Sequence, residues 1–110
     1  MNSALENEIL QLHAEICGGL ADTNRIMILY TLAQGPRNVT EIYSELGMAQ
    51  SLVSRHLKIL RERGMVITER RGTVIVYSLA DDRLIQALDL LRSVMHDNLA
   101  KRVELVNALS

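Results

Sequence analysis

The chain has no tryptophan and no phenylalanine, one proline and one cysteine, and its three tyrosines bring aromatics to only 3% of 110 residues. Without large aromatic rings the core must be built from Leu, Ile, Val and Met, which favours helices packed on helices. A single cysteine, Cys17, cannot close an intramolecular disulfide, in keeping with a reducing compartment. No apolar run approaches the roughly 20 residues of a membrane-crossing helix, and the N-terminus lacks the basic-then-apolar order of a signal peptide. We therefore expect a cytoplasmic protein with no membrane partner. A phosphate-cradling glycine loop, a nucleophile elbow, a metal triad and a second thiol are also missing, so no enzyme is expected.

What is present is organised. The length suits one domain spanning residues 1–110, near the size at which a second copy often adds needed burial, so a homodimer is expected. The net charge of −1 conceals an asymmetry. Between positions 50 and 73 lie Arg55, Lys58, Arg61, Arg63, Arg70 and Arg71 against Glu62 and Glu69, which is +4 there and leaves −5 elsewhere. Such a division focuses anions on one face.

The hydrophobic period predicts the elements in turn. Residues 4–17 place Leu5, Ile9, Leu12 and Ile16 on one helical stripe, and Gly18-Gly19 is expected to break that helix. Asp22 is expected to cap a second helix bearing Ile26, Leu29 and Leu32, which stops at Gly35-Pro36. Asn38 and Glu41 have the spacing of a capping box, opening a third helix that ends at Leu46-Gly47. The three residues Gly47-Met48-Ala49 allow only a tight turn before a fourth helix, which makes a helix-turn-helix. Ala49 is a poor N-cap, by on the order of 1 kcal/mol. From residue 66 the period becomes that of strands, 66–70 and 73–79, around a corner at Arg71-Gly72-Thr73. Asp81 or Asp82 then caps a last helix whose stripe of Leu84, Leu88, Leu91, Met95, Leu99, Val103 and Val106 exceeds what so small a core can cover.

The fourth helix, QSLVSRHLKILRERG, is the informative stretch. Val53, Leu57 and Leu60 form one apolar stripe, while Ser51, Ser54, Arg55, Lys58 and Arg61 occupy the other side. Short polar groups near a helix start suit base edges, and cations further along suit phosphates. The same cations would also suit an ordinary solvated face. A winged helix that serves as a protein-interaction adaptor, without specific DNA binding, is the competing expectation; such an adaptor has no reason to gather cations on one helix and hairpin.

These segments resemble the ArsR/SmtB family of winged helix-turn-helix repressors. LADTNRI at 20–26 is similar to the family's second helix, SLVSRHLKILRERGMV at 51–66 to its recognition segment, and 68–79 to its wing followed by YSL. The resemblance implies a mostly helical α+β fold of four helices, a β-hairpin and a fifth helix. It further implies a homodimer joined through the first and last helices, with Leu5, Ile9, Leu12, Leu91, Met95 and Leu99 in the seam. Function would then be repression from a double-stranded operator until an effector binds. DNA contacts are implied at Gln50, Ser51, Ser54 and Arg55, with backbone contacts at Arg70, Arg71 and Thr73; Lys58 joins them from its place on the polar face. His56 resembles a histidine that packs and hydrogen-bonds locally.

The family's metal motifs are not reproduced. Where arsenic and cadmium sensors carry a Cys-x-Cys type motif, this chain has Asn38-Val39-Thr40-Glu41-Ile42-Tyr43. The zinc and nickel pattern along the last helix is incomplete, with Asp81-Asp82-Arg83 and His96-Asp97-Asn98-Leu99 in its place. His13 and Cys17, four apart, are the remaining weak candidates for a soft metal ion, equally readable as a surface imidazole and a small apolar helix-end residue. No cofactor is expected, and the effector is one outside the usual family metals.

Overall fold

The computed structural model describes residues 1–109. Helix α1 (Ser3–Leu12) starts where the Asn2 side chain accepts from the Ala4 N–H at 2.7 Å. It does not end at the glycines. A π-helical turn (His13–Cys17) carries the chain into a short α2 (Gly18–Leu20), and the break falls at Ala21-Asp22. The reason is steric: both glycines hold helical backbone angles and are selected for closeness to another part of the chain. A Cβ on Gly19 would lie 2.5 Å from the Met65 sulfur, and one on Gly18 would lie 2.8 Å from an Arg63 Nη.

Asp22 caps α3 (Thr23–Ala33), its Oδ1 accepting from Asn24 and Arg25 N–H at 2.8 and 3.3 Å. Burial pushes the Asp22 carboxyl up, but those backbone bonds and the nearby His56 and Arg25 hold it below the usual range. The expected capping box at α4 (Val39–Leu46) is formed reciprocally: Glu41 N–H reaches Asn38 Oδ1 at 2.8 Å, and Asn38 N–H reaches Glu41 Oε1 at 3.0 Å. Asn38 also ends a strand absent from the sequence reading, β1 (Arg37–Asn38). Two residues carry no period, so nothing in the sequence could mark them.

Helix α5 (Gln50–Glu62) begins at Ala49 with no side-chain cap, and depends on its packed face. It closes in a Schellman motif, with Met65 N–H on the Leu60 carbonyl at 2.9 Å and Gly64 N–H on the Arg61 carbonyl at 3.0 Å. Gly64 has φ +70°, where a Cβ would be strained. The hairpin β2 (Val66–Arg71) and β3 (Val74–Leu79) turns on two residues, Gly72-Thr73, so Arg71 belongs to a strand and Thr73 to the turn. Pairing runs from Val66↔Leu79 to Arg71↔Val74, and β1 lies on the other side of β3, order β1-β3-β2.

The core consists of Ile28, Leu29, Leu32, Ile42, Val53, Leu57, Leu60, Met65, Val66 and Leu88, as the aromatic-poor composition requires. Helix α6 (Arg83–Leu109) gives it only Leu88 as a buried residue, with Leu84 and Ile85 packed against it. Asp81, one residue further out than Asp82, supplies the side-chain cap by accepting from Arg83 N–H at 2.9 Å. The Arg83 guanidinium grips the same carboxylate and, with that bond, holds it down to about 2. Tyr30 fastens α3 to α6 by donating to Asp89 at 2.6 Å, with the Arg92 guanidinium 5.4 Å over its ring.

Loss of the capping box is measurable. Asn38→Ala should lower the unfolding free energy by about 1 kcal/mol, whereas Ser44→Ala on the exposed side of the same helix should stay within about 0.5 kcal/mol. Urea denaturation at one fixed protein concentration distinguishes the two.

Candidate nucleic-acid interface

The two faces of α5 divide as the apolar stripe predicts. Val53, His56, Leu57 and Leu60 are buried, while Gln50, Ser51, Ser54, Arg55, Lys58 and Arg61 are exposed. Helix α4 packs behind it across the Gly47-Met48-Ala49 turn, so the polar face is held outward by the core and not by contacts of its own. Along the hairpin Val66 and Val76 are buried, but Ile67, Val74, Ile75, Arg70, Arg71 and Thr73 are exposed. Its tip therefore stands clear of the core.

At that tip Arg70 Nε donates to the Gly72 carbonyl at 3.1 Å, and Arg71 pairs with Glu69 at 3.2 Å with both side chains more than half exposed. An exposed pair of this kind contributes little to stability, so Arg71 can exchange Glu69 for a phosphate at small cost. Arg63 is a correction to the charge map. It is half-buried, turned away from the polar face, and donates to the Ala14 and Glu15 carbonyls of the π-helical turn. Five cations, Arg55, Lys58, Arg61, Arg70 and Arg71, remain exposed on helix and hairpin.

His56 anchors the inner face and is 4% exposed. An arginine can only donate, so the 3.3 Å contact from Arg25 Nη1 makes His56 Nδ1 an acceptor and places the ring proton on Nε2. That Nε2 points toward Asp22 Oδ1 at 3.8 Å, beyond hydrogen-bond reach. Burial lowers the His56 pKa, Asp22 opposes that, and Arg25 and Arg55 add to it. Arg25 continues to the Gly19 and Gly18 carbonyls at 2.8 and 3.2 Å. The packing and bonding expected of His56 is present, and its partner is Arg25 of the 20–26 segment.

Residues 22–68 match the family described as bacterial regulatory protein, arsR family. The chain is 40% identical over 88 residues to the HTH-type transcriptional regulator NmtR of Mycobacterium tuberculosis, an alignment covering 80% of this chain and 73% of that protein. This chain belongs to the arsR family. It is also 41% identical over 83 residues to the biofilm growth-associated repressor of Agrobacterium fabrum, covering 73% of this chain and 71% of that one. Among solved structures it resembles the homodimeric winged helix-turn-helix DNA-binding domain of a possible ArsR-family regulator from Mycobacterium bovis. That similarity has a TM-score of 0.75 and 31% identity, over 86% of this chain and 87% of the other. The arsR-family chain is thus a winged helix-turn-helix transcription regulator and not an enzyme.

Helix α4 offers Asn38, Thr40, Glu41 and Tyr43 but no thiol, Asn38 and Glu41 are committed to each other as the cap, and Asp81 is committed to Arg83. His96 and Asp97 are exposed on α6, and among the described residues no three His, Cys, Asp or Glu side chains converge to hold an ion. His13 and Cys17 are exposed at the two ends of the π-helical turn, where Gly18 N–H closes on the His13 carbonyl and the α-helical i, i+4 register is lost.

The His56 environment sets a pH dependence. Its folded pKa lies below the ordinary 6.5, so as pH falls through about 6.5 the unfolded chain binds a proton that the folded chain refuses. Stability should therefore decline on going from about pH 7.5 to about pH 5.5, and His56→Gln, with nothing to titrate there, should show a shallower decline in thermal melts. Equal slopes for both proteins would remove His56 as the cause.

Proposed function

We propose that the chain is a homodimeric repressor, acting in the cytoplasm as one winged helix-turn-helix domain with its own dimerisation helices, that reads a pseudo-palindromic operator through two copies of α5. The observation that carries this reading is the exposed polar face of α5 beside an exposed basic hairpin, with every apolar residue of the α5 stripe turned inward. Gln50, Ser51, Ser54 and Arg55 occupy the first turns, the part of a recognition helix that meets base edges. Lys58 lies further along, and Arg70, Arg71 and Thr73 stand on the wing; these hold phosphates and set register.

Dimerisation follows from what one chain leaves uncovered. Leu5, Ile9 and Leu12 on α1 and Leu91, Met95 and Leu99 on α6 are between 42% and 62% exposed, and apolar side chains left uncovered in such number favour burial against a partner. A hollow of about 250 Å³ between α3 and α6, lined by Ile26, Tyr30, Leu88, Leu91, Arg92 and Met95, offers room for an apolar side chain from a second copy. Release from DNA is assigned to an effector other than the family metals, a reading supported by the donor residues already committed elsewhere. Titrating the DNA complex with metals, oxidants and persulfides tests it, and dissociation by zinc, nickel, arsenite or cadmium would sink it.

Three measurements bear on the reading. Arg55→Ala should lose about 1 to 3 kcal/mol on DNA from upstream of its own gene but less on scrambled duplex, while Lys58→Ala should cost both about equally. Equal losses for Arg55→Ala would take it off the bases, and no preference for any duplex by the unmutated protein would leave the adaptor reading. Arg71→Ala should weaken all sequences alike and flatten the log-log salt plot by about 0.9, the contribution of one phosphate contact on B-DNA. Met95→Glu should give a monomer or an unfolded chain in sedimentation, because a carboxylate in a packed apolar seam has no partner.

A further inference from the structure

The backbone carbonyls at the end of the first helical stretch are gripped from two directions. Arg25, on α3, donates to Gly18 and Gly19 and to His56 on α5. Arg63, the residue that ends α5, donates through one Nη to Ala14 and Glu15. The approach of Arg63 is made possible by two missing side chains: a Cβ on Gly18 would sit 2.8 Å from its Nη1, and one on Gly19 would sit 3.1 Å from its Cδ. The glycine pair is a floor, and the arginine lies across it.

From this we infer that Arg63 is a positioning residue for DNA binding: laid over Gly18-Gly19 and bonded to the π-helical turn, it sets the tilt of α5 against the dimerisation helix α1. Helix α5 then has two fixed points on the same neighbour, His56 through Arg25 in its middle and Arg63 at its end. Core packing of Val53, Leu57 and Leu60 holds the body of α5, and these two points fix it against the first helical stretch. In a dimer joined through α1, the tilt of each α5 fixes the separation and mutual angle of the two reading heads, and a helix misplaced by a fraction of a turn misses its half-site. Any ligand or partner that reshapes the π-helical turn acts on α5 through the same contact.

The inference rests on the repressor reading, and the experiment separates them. Binding of unmutated protein, Arg63→Ala, Gly18→Ala and the double variant is measured on the upstream duplex and on a scrambled duplex across a salt series, after sedimentation at the working concentration. Arg63→Ala should lose on the order of tenfold on the specific duplex, little on the scrambled one, with an unchanged salt slope because no phosphate contact is removed. Gly18→Ala, whose methyl displaces the guanidinium while favouring the helix, should lose a comparable factor, and the double variant should lose no more than either alone. Full specific affinity in Arg63→Ala, a slope flatter by about 0.9, or multiplicative losses in the double variant would overturn it. If Arg63→Ala fails to fold, Gly18→Ala alone decides, since unchanged affinity there is equally fatal. Absence of specific binding by the unmutated protein condemns the repressor reading instead.

Discussion

The contact on which the rest depends is the side chain of Arg25. It enters between two parts of the chain far apart in sequence, with the Gly18 and Gly19 carbonyls on one side and the His56 ring on the other. A guanidinium has five N–H donors and no acceptor, so it can satisfy carbonyls at a helix end and an imidazole nitrogen at once, where a lysine would offer a point charge without the fork. The neutral state of His56 belongs to the same arrangement, because a proton on Nδ1 would face a donor. Helices α2, α3 and α5 are therefore joined by one planar group.

The hydrophobic periods and caps were legible because they are local. Val53, Leu57 and Leu60 repeat at helical spacing and are buried, and Asn38 with Glu41 forms the box that their spacing announces. Other features are set by residues distant in sequence and could not be read locally. A Gly-Gly pair looks the same whether it ends a helix or lets another chain segment approach, and only Met65 and Arg63 decide that Gly18-Gly19 does the second. Charge has no direction in a sequence either, so Arg63 counted with the outward cations although its donors turn inward to carbonyls. The polar face of α5 was visible, as were the candidate wing residues, with Arg71 and Thr73 displaced by one position in their assignment to strand and turn.

The molecule divides its surface by function. On α5 and at the hairpin tip the exposed groups include five cations, Arg55, Lys58, Arg61, Arg70 and Arg71; on α1 and α6 many of the large apolar side chains are exposed among charged ones. Little of the fold's own burial comes from α6, which leaves that helix free to present a long apolar side elsewhere. The hydrogen bond from Tyr30 to Asp89 and the Arg92 guanidinium over the Tyr30 ring fasten the first part of α6 to α3.

Helix α6 has 27 residues, about 40 Å at 1.5 Å per residue, and from Leu90 onward it contributes no buried side chain among the described residues. A helical portion without core contacts gains stability chiefly from whatever covers its apolar side. When the cover is a second copy, folding of the tail and association become one equilibrium that shifts with protein concentration. The occupied fraction of an operator then rises more steeply than in proportion to the amount of chain, since reading competence requires two molecules. A frayed tail on dilute monomers also exposes backbone to proteases. With a second copy as that cover, the length of one helix would make the protein a gauge of its own abundance, steepest while pairing is incomplete and merely proportional once it is complete.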